Sequence, residues 1–325
     1  MTTDGLTLAV SGLTLGLTRD RRARPLVEDL SFGVARGEML AFVGESGSGK
    51  SLTAAAIFGL LPAGVQRIAG SIRVNGSELT TLSERRLRAW RGRDMGLIFQ
   101  NPLTALSPSV GVQAQIAETY RVHKGGTRDA ARARARALLA EVGLKALATR
   151  GDSYPHQLSG GMRQRVMIAL AAACDPALIV ADEPTTALDV LVQAQILDLL
   201  ARLQRERGLA VVFITHDLRL AARYADRILV LYAGRAVEEG DAAQFFTAPR
   251  HPYSRALRDA IPTIPATGGR LTEIPGQPPE PRALPAGCRF APRCPNVGDD
   301  CRRTEPATTF DGTRFACLHP CAKMS

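Results

Sequence analysis

Short apolar runs alternate with amphipathic segments along most of the chain, and this alternation predicts an α/β fold. The apolar runs have the length of buried strands, whereas the amphipathic segments have helical spacing. The predicted strands are Met39–Val43, Ser71–Val74, Met95–Phe99, Ala177–Ala181, Ala210–Thr215 and Arg227–Leu231. The predicted helices are Ser51–Leu61, Met162–Cys174, Val190–Arg207 and Leu218–Tyr224. Strands separated by helices need crossover connections, so most of this sheet is expected to be parallel.

Three regions depart from this alternation and suggest how the chain is divided. Residues 1–45 contain short strands and turns, which we expect to pair antiparallel, and residues 100–157 have the helical composition of an insertion into the α/β core. Residues 261–285 are rich in proline and predict an extended segment. We therefore expect one domain over residues 1–245, with a helical subdomain at about 100–157, and a cysteine-rich extension over residues 246–325.

The composition fits a soluble globular protein of about two folded units. The chain has 325 residues, of which 45% are hydrophobic and 22% charged, and this excludes a disordered or fibrous protein. The formal net charge of +10 favours an anionic partner such as a nucleotide, a nucleic acid or a lipid surface. No apolar run reaches the roughly 18–20 residues that span a bilayer, and the N-terminus lacks the pattern of a secretory signal. We therefore expect a cytosolic protein.

A glycine-rich segment after the strand Met39–Val43 fits the phosphate-loop pattern G-x-x-x-x-G-K-[ST]. Its residues are Gly44, Glu45, Ser46, Gly47, Ser48, Gly49, Lys50 and Ser51. Glycines let backbone N–H groups converge on phosphate oxygens, and the following helix directs its positive end at the same anion. Lys50 is placed to reach the β- and γ-phosphates, and Ser51 to ligate Mg²⁺. The alternative is a turn that only reverses the chain, which the flanking strand and helix disfavour.

Two adjacent acids follow the predicted strand Ala177–Ala181 and indicate a second part of the same chemistry. Burying carboxylates is costly unless they pair with cations or take part in a reaction. Asp182 is placed to hold the Mg²⁺ shell, and Glu183 to polarise a water that attacks the γ-phosphate. The alternative is that both acids cap the next helix.

A third element, LSGGMRQ at residues 158–164, places a hydroxyl and two glycines at the start of a predicted helix. This suits phosphate binding, although an ordinary serine N-cap explains Ser159 equally well. Three further motifs complete a set that resembles the nucleotide-binding subunits of ABC transporters, from about residue 6 to the C-terminus. Gln100 in IFQNP resembles the Q-loop glutamine of that family, residues 186–189 resemble its D-loop, and His216 in FITHD resembles its switch histidine.

The resemblance implies a P-loop NTPase core of the RecA-like type and an ATPase that works as a pair. Two such subunits close head to tail, so that each ATP lies between one phosphate loop and the partner's LSGGM signature. Ser159 and Gly161 would then contact the γ-phosphate bound to the partner, and Gly160 and Asp189 also belong to the nucleotide site. The shared γ-phosphate holds the pair together, and hydrolysis releases it.

The same resemblance assigns the hydrolytic half-site. Glu183 is its catalytic glutamate, Gln100 would link Mg²⁺ and the attacking water to the helical insertion, and His216 would steady the γ-phosphate. One position departs from the family pattern, because Leu17 stands where the family usually stacks adenine on an aromatic side chain. Since base–aromatic stacking is worth about 1–3 kcal/mol, we expect weaker ATP binding and laxer choice of base.

The last quarter of the chain resembles the C-terminal region of oligopeptide and dipeptide importer ATPases, a branch that also serves nickel. The matching segments are HPYSRAL at 251–257, IPGQPP at 274–279 and GCRFAPRC at 287–294. This implies uptake across the bacterial inner membrane, with peptide the favoured cargo and the chain peripheral on the cytoplasmic face. The implied partners are a second ATPase subunit in a heterodimer, two transmembrane permease subunits and, indirectly, an extracytoplasmic solute-binding protein.

A different class of function is a soluble ABC ATPase that acts on nucleic acid or ribosomes, which the net charge of +10 would suit. Such proteins usually have two tandem cassettes or an inserted coiled coil, and this sequence has one cassette and no such insertion. A redox or nucleic-acid module in the tail is a third possibility, but a partner dithiol motif and an interleaved aromatic and basic surface are both missing from the sequence. We therefore expect no nucleic-acid partner.

Five cysteines lie in the last 38 residues, and four of them form the spacing C-x5-C-x6-C-x15-C. These are Cys288, Cys294, Cys301 and Cys317, with Cys321 to spare. Four thiolates in a reducing compartment suit either tetrahedral Zn²⁺ or a [4Fe–4S] cluster. The importer branch carries an iron–sulfur cluster at these cysteines, so the resemblance favours the cluster over zinc, for which His319 is a further candidate ligand, and over free thiols.

Overall fold

The computed structural model describes residues 5–18, 25–149, 152–186, 188–261 and 273–322. The chain forms two compact units. The first comprises Met1–Ala9, Gly33–Met39 and Arg73–Ile214, and the second comprises Val10–Phe32, Leu40–Ile72 and Thr215–Ser325. Parts of several predicted features lie outside the described residues: residues 1–4 and 19–24 of the N-terminal region, residues 150–151 of the helical insertion, Ala187 of the D-loop, residues 262–272 of the proline-rich segment and residues 323–325 of the extension.

Strands and helices alternate over much of the chain, as the apolar pattern predicts. The strands are β1 (Leu6–Leu17), β2 (Val27–Ala35), β3 (Met39–Val43), β4 (Val65–Val74), β5 (Ser77–Glu78), β6 (Met95–Ile98), β7 (Leu178–Asp182), β8 (Ala210–Ile214), β9 (Arg227–Tyr232), β10 (Arg235–Asp241), β11 (Thr309–Phe310) and β12 (Arg314–Phe315). The helices are α1 (Lys50–Ile57), α2 (Glu84–Trp90), α3 (Pro102–Ala105), α4 (Val112–Lys124), α5 (Arg128–Glu141), α6 (Lys145–Thr149), α7 (Gly160–Ala171), α8 (Val190–Arg207), α9 (Leu218–Tyr224), α10 (Ala242–Thr247) and α11 (Pro252–Asp259). Short 3-10 helices lie at Pro155–Gln157 and Ala291–Arg293.

The N-terminal strands form a four-stranded sheet in the order β2-β1-β4-β5, and β4 and β5 run antiparallel. The turn between β4 and β5 is formed by Asn75 and Gly76, with φ values of 47° and 75°. Positive φ at both central residues is the hairpin geometry that this dipeptide favours. Strand β4 begins six residues earlier than predicted, at Val65, because its first half is polar and carries no alternation.

Parallel strands in the first unit carry the pair of acids. Strand β7 pairs in parallel with β6, where Met95 lies opposite Leu178, and with β8, where Leu178 lies opposite Ala210. Residues 178–181 are buried, and Asp182, the last residue of β7, is half-buried. The apolar run therefore ends as the strand reaches a partly exposed edge.

The helical insertion in the first unit contains α4, α5 and α6. Helix α5 buries Ala131, Ala135, Leu138 and Leu139, which recur at helical spacing. Arginines occupy most of the positions between them. The guanidinium of one of these, Arg134, pairs with Asp175 at 2.7 Å.

Strand β3, of which residues 40–43 belong to the second unit, has all five residues fully buried. Strand β3 pairs in parallel with β9, and β9 pairs antiparallel with β10. Strand β12 of the C-terminal extension (residues 246–325) adds to the other edge of β10, and β11 pairs with β12. Part of the extension is therefore joined to the sheet by backbone hydrogen bonds. Among the described residues, no helix has both the length and the apolarity to cross a membrane.

Helix α1 ends four residues before the predicted boundary at Leu61, for a local reason. Gly59 adopts a left-handed conformation with a φ of 62°. Its N–H donates to the carbonyl of Ala56 at 3.0 Å, and the N–H of Leu60 donates to the carbonyl of Ala55 at 2.8 Å. These two bonds form a Schellman motif, which ends a helix at glycine before any proline is reached.

Candidate functional site

The glycine-rich loop of the second unit, residues 44–51, lies between β3 and α1, as predicted. Lys50 is 7% exposed and turns its ammonium back over this loop. Its Nζ donates to the carbonyl of Gly44 at 2.8 Å, to that of Glu45 at 2.9 Å and to Ser48 Oγ at 3.2 Å. A nearly buried cation is therefore held at a loop that opens a helix, and this arrangement suits a bound anion.

Two glycines of this loop are required by the space around them. Gly44 has a φ of 145°, and a Cβ there would lie 2.1 Å from the carbonyl oxygen of Leu231. Gly49 has a φ of 104°, and its Cβ would lie 2.9 Å from Val27 Cγ2. Since residues with a Cβ disfavour both backbone conformations, the loop needs glycine at these two positions to keep its shape.

The carboxylates of the first unit lie at the end of β7, where Glu183 adopts a strained backbone conformation. Its φ is 45°, in the left-handed region that residues other than glycine rarely occupy. Its N–H donates to the carbonyl of Ile214 at 3.1 Å. Its carboxylate accepts hydrogen bonds from Gln100 Nε2 and from Thr186 Oγ1, both at 2.9 Å. Strained backbone conformations are common at functional sites, where surrounding contacts maintain them.

The contact between Gln100 and Glu183 joins two residues that separate sequence motifs predict to be functional. Gln100 follows β6 and Glu183 follows β7, and these strands are parallel neighbours. Their carboxyl ends therefore meet at one edge of the sheet, and Gln100 is exposed there. The structure thus places an amide and a carboxylate at an edge that solvent reaches, where a water molecule could be polarised.

The LSGGM segment opens α7, and Ser159 is its N-cap. Ser159 Oγ accepts a hydrogen bond from the N–H of Met162 at 3.4 Å. A Cβ on Gly161 would lie 2.7 Å from Val192 Cγ1, so close packing against α8 favours glycine there. Asp189 caps α8 in the same way, accepting from the N–H of Val192 at 2.9 Å. Both segments therefore present helix N-termini, with Ser159 and Asp189 exposed.

His216 and Leu17 belong to the second unit. Thr215 donates its N–H to the carbonyl of Phe42 at 3.2 Å, so His216 follows a residue paired with the strand that leads into the phosphate loop. The His216 side chain is exposed, and Leu17, the last residue of β1, is half-buried.

Two residues of the extension contact the phosphate loop, and no sequence motif predicts a role there for either of them. Tyr253 Oη accepts a hydrogen bond from the N–H of Glu45 at 2.9 Å. The guanidinium of Arg293 donates to both carboxylate oxygens of Glu45, at 2.7 and 2.9 Å. The only sequence signal was that both lie in segments that resemble the importer branch, HPYSRAL and GCRFAPRC.

The four spaced cysteines of the extension lie close enough together to interact electrostatically. The pKa of the Cys317 thiol is raised to about 12, mainly by burial and to a smaller extent by the thiols of Cys288, Cys294 and Cys301, while a backbone hydrogen bond at His319 opposes the shift. The N–H of Cys288 also donates to the carbonyl of Cys301 at 2.8 Å. Thiols that interact in this way form a cluster, and a metal centre bound there would hold the cysteines as thiolates.

A second group of metal-ligating atoms overlaps this cluster. Ligand atoms of Asp300, Cys301 and His319 all lie within 4.8 Å of one another. His319 Nε2 is hydrogen-bonded to Asp300 Oδ1 at 2.9 Å, and this bond lowers the pKa of the Asp300 carboxyl. Cys301 and His319 are ligands that the sequence predicts, whereas no spacing rule marks Asp300.

Comparison with known proteins decides the family. Residues 27–186 match the family described as ABC transporter, and residues 237–301 match the one described as oligopeptide/dipeptide transporter, C-terminal region. The dipeptide transport ATP-binding protein DppD of Escherichia coli K12 is 48% identical over 296 residues, which are 90% of this chain and 90% of its own length. The chain belongs to the ABC transporter ATP-binding family.

Further relatives of this ABC ATPase support the same assignment. The oligopeptide transport ATP-binding protein OppD of Salmonella typhimurium is 46% identical over 299 residues, which cover 92% of this chain and 89% of that one. A dimeric ATP-binding cassette solved with bound ADP and phosphate after hydrolysis aligns with a TM-score of 0.64 at 28% identity, covering 72% of this chain and 98% of the cassette. The predicted resemblance, α/β fold and ATPase activity are confirmed, and ATP and Mg²⁺ are the substrate and cofactor that the family implies.

Proposed function

We propose that this ABC ATPase energises the import of peptides into a bacterial cell. The observation that carries the proposal is the match of residues 237–301 to the C-terminal region of oligopeptide and dipeptide transporters. The names of two relatives, one for dipeptide and one for oligopeptide transport, support it. The comparisons offer no support for the alternative of a soluble ATPase that acts on nucleic acid or ribosomes.

The phosphate loop and the end of β7 supply the residues for ATP chemistry. In this proposal Lys50 binds the β- and γ-phosphates, while Ser51, Gln100 and Asp182 offer the oxygen ligands that Mg²⁺ prefers. When bound, Mg²⁺ neutralises charge that develops on the phosphates. Glu183 orients and polarises the attacking water. His216 steadies the γ-phosphate.

The remaining predicted roles concern partners. Ser159, Gly160, Gly161 and Asp189 would meet the nucleotide of a second, homologous ATPase subunit, so that nucleotide holds the pair together. The two exposed helix N-termini at Ser159 and Asp189 suit such an anion. The importer family implies permease partners. We further propose a heterodimeric ATPase pair, two permease subunits, an indirect role for a solute-binding protein, and a peripheral position on the cytoplasmic face of the inner membrane.

An uptake assay with the reconstituted transporter tests which solute is carried. The chain, co-purified with its permease and ATPase partners in liposomes that enclose ATP, should accumulate a radiolabelled dipeptide when the solute-binding protein is supplied outside. Accumulation should stop when the enclosed ATP is replaced by ADP, and labelled nickel serves as the competing cargo. Failure to co-purify with permeases, together with ATPase activity stimulated by DNA or ribosomes, would support the soluble alternative.

We also propose that Cys288, Cys294, Cys301 and Cys317 hold a [4Fe–4S] cluster. The donor set fits, because four thiolates are the usual ligands of such a cluster, and the four thiols lie close enough together to interact electrostatically. The described part of this tail contains little regular structure, and a bound metal centre can supply folding free energy that a small core cannot. The group of Asp300, Cys301 and His319 is what supports the zinc alternative.

Metal analysis tests the cluster. Protein purified without oxygen should be brown and contain iron and acid-labile sulfide in equal amounts, and the substitution Cys317→Ser should remove most of both. Cys174→Ser is the matched control, because Cys174 is buried in the other unit and should leave the iron content unchanged. Colourless protein that contains one zinc per chain would contradict the proposal in favour of zinc.

A further inference from the structure

The C-terminal extension contacts one residue of the phosphate loop, Glu45, through both its backbone and its side chain. Glu45 donates its N–H to Tyr253 Oη at 2.9 Å, and its carboxylate receives both Nη atoms of Arg293, at 2.7 and 2.9 Å. Tyr253 lies on α11, and Arg293 ends the 3-10 helix Ala291–Arg293. Both the backbone and the side chain of Glu45 are therefore fixed by residues more than 200 positions away in the chain.

Arg293 is itself held rigidly. Its side chain is only 4% exposed. Its Nε donates to the carbonyl of Pro275 at 2.8 Å, its Nη2 also donates to that of Ile274 at 3.3 Å, and its Nη1 also donates to Tyr232 Oη at 3.3 Å. Hydrogen bonds with Glu45 raise the pKa of Arg293, so the guanidinium stays charged. Because all three nitrogens of this planar guanidinium donate hydrogen bonds, Arg293 fixes the position of the carboxylate that it binds.

The charge of Glu45 makes this contact important for nucleotide. A polyphosphate that enters the loop brings several negative charges, and an unpaired carboxylate in the same loop would repel them. The bidentate pair with Arg293 neutralises Glu45 and turns its carboxylate toward the extension. The loop carbonyl of Glu45 also accepts from Lys50 Nζ at 2.9 Å, so a shift of Glu45 would move a group that positions the lysine.

We propose that the C-terminal extension is a working part of the ATP site, in which Arg293 is a positioning residue that holds Glu45, and through it the phosphate loop, in the shape that binds ATP. This inference rests on the proposed assignment of residues 44–51 to ATP phosphates, but it does not depend on the transported cargo or on a metal centre. A purely structural anchor for the tail would also use an ion pair, so the test must separate the two roles.

The first measurement is ATP affinity of the full-length chain. Arg293→Ala should weaken ATP binding about tenfold, by analogy with the loss of residues that orient the ligands of a metal ion. In steady-state hydrolysis, KM for ATP should rise while kcat stays within about twofold. Arg293→Lys keeps the charge but loses the bidentate geometry, so its affinity should fall between those of the wild type and the alanine variant.

A double-mutant cycle with Glu45→Gln shows whether Arg293 acts through Glu45. The glutamine keeps the size of the side chain and removes the charge, so Arg293→Ala in this background should change affinity less than about threefold. Arg250→Ala is the matched control, because Arg250 is buried, as Arg293 is, and binds Asp311 and the carbonyl of Cys321 instead of the loop. This control should leave ATP affinity within twofold even if it lowers thermal stability.

Two results would overturn the inference. In the first, Arg293→Ala changes the affinity for ATP by less than twofold. In the second, Arg293→Ala lowers the affinity by the same factor in the wild type and in the Glu45→Gln background. Either would leave the proposed ATP site intact. Failure of that site is recognised separately, because Lys50→Ala would then bind ATP as well as the wild type does. A tail that serves only as an anchor predicts equal effects for Arg293→Ala and Arg250→Ala.

Discussion

Glu183→Gln is expected to lower steady-state ATP hydrolysis by about a hundredfold or more while ATP affinity stays within about threefold. General-base catalysis contributes about 10²–10⁴ to a rate, and the amide cannot take over that role. Glutamine can keep the shape of the site, because its amide oxygen can still accept the bonds that Gln100 and Thr186 donate at 2.9 Å. Binding and turnover should therefore separate in this variant, as measured by ATP titration and phosphate release.

The control for this variant is Glu206→Gln. Glu206 is an exposed glutamate of α8 whose pairing with Arg202 at 3.2 Å is a surface ion pair of small energetic value. The substitution Glu206→Gln should change neither the affinity for ATP nor the rate of ATP hydrolysis. Measurable turnover by Glu183→Gln at a rate near that of the wild type would mean that another group activates water, and the role assigned to Glu183 would be wrong.

The parts of the site that the sequence predicts well are those encoded locally. The phosphate loop is a continuous segment whose glycines meet steric demands that a pattern can capture, as at Gly44, where a Cβ would collide with the backbone of Leu231. The buried run of β7 likewise places Glu183 at a strand end without knowledge of the rest of the fold. Helices α8 and α9 have the predicted bounds, because an aspartate caps each of them at its start.

The parts that the sequence did not predict depend on distant or polar contacts. Strand β10 reads RAVEEGD, without apolar alternation, because Glu238 and Glu239 are buried by partners elsewhere in the chain. Glu239 pairs with Arg314, and Glu238 accepts the N–H groups of Arg250 and His251 at 2.8 and 2.7 Å. The pairing of Glu45 with Arg293 spans 248 positions, and no local pattern links an arginine of the tail to the phosphate loop.

Lys50→Ala is expected to weaken ATP binding by about a hundredfold or more and thereby remove hydrolysis at cellular ATP concentrations. Hydrogen bonds to charged groups are worth about 1.5–3 kcal/mol each, and Lys50 is the cation of a loop that otherwise offers backbone N–H groups and hydroxyls. Its ammonium already lies over the loop, within 2.8 Å of the carbonyl oxygen of Gly44. Calorimetric titration with ATP measures the loss directly.

The decisive comparison for Lys50→Ala is with a lysine that carries the same charge elsewhere. Lys145→Ala, at an exposed position at the start of α6, removes one positive charge from the same chain and should leave ATP affinity unchanged. If both variants weakened binding equally, the effect would come from the net charge of +10 rather than from the loop. If Lys50→Ala alone loses ATP, and Arg293→Ala shows its smaller loss only while Glu45 is charged, then one residue binds the phosphates directly and the other acts by keeping the loop in place.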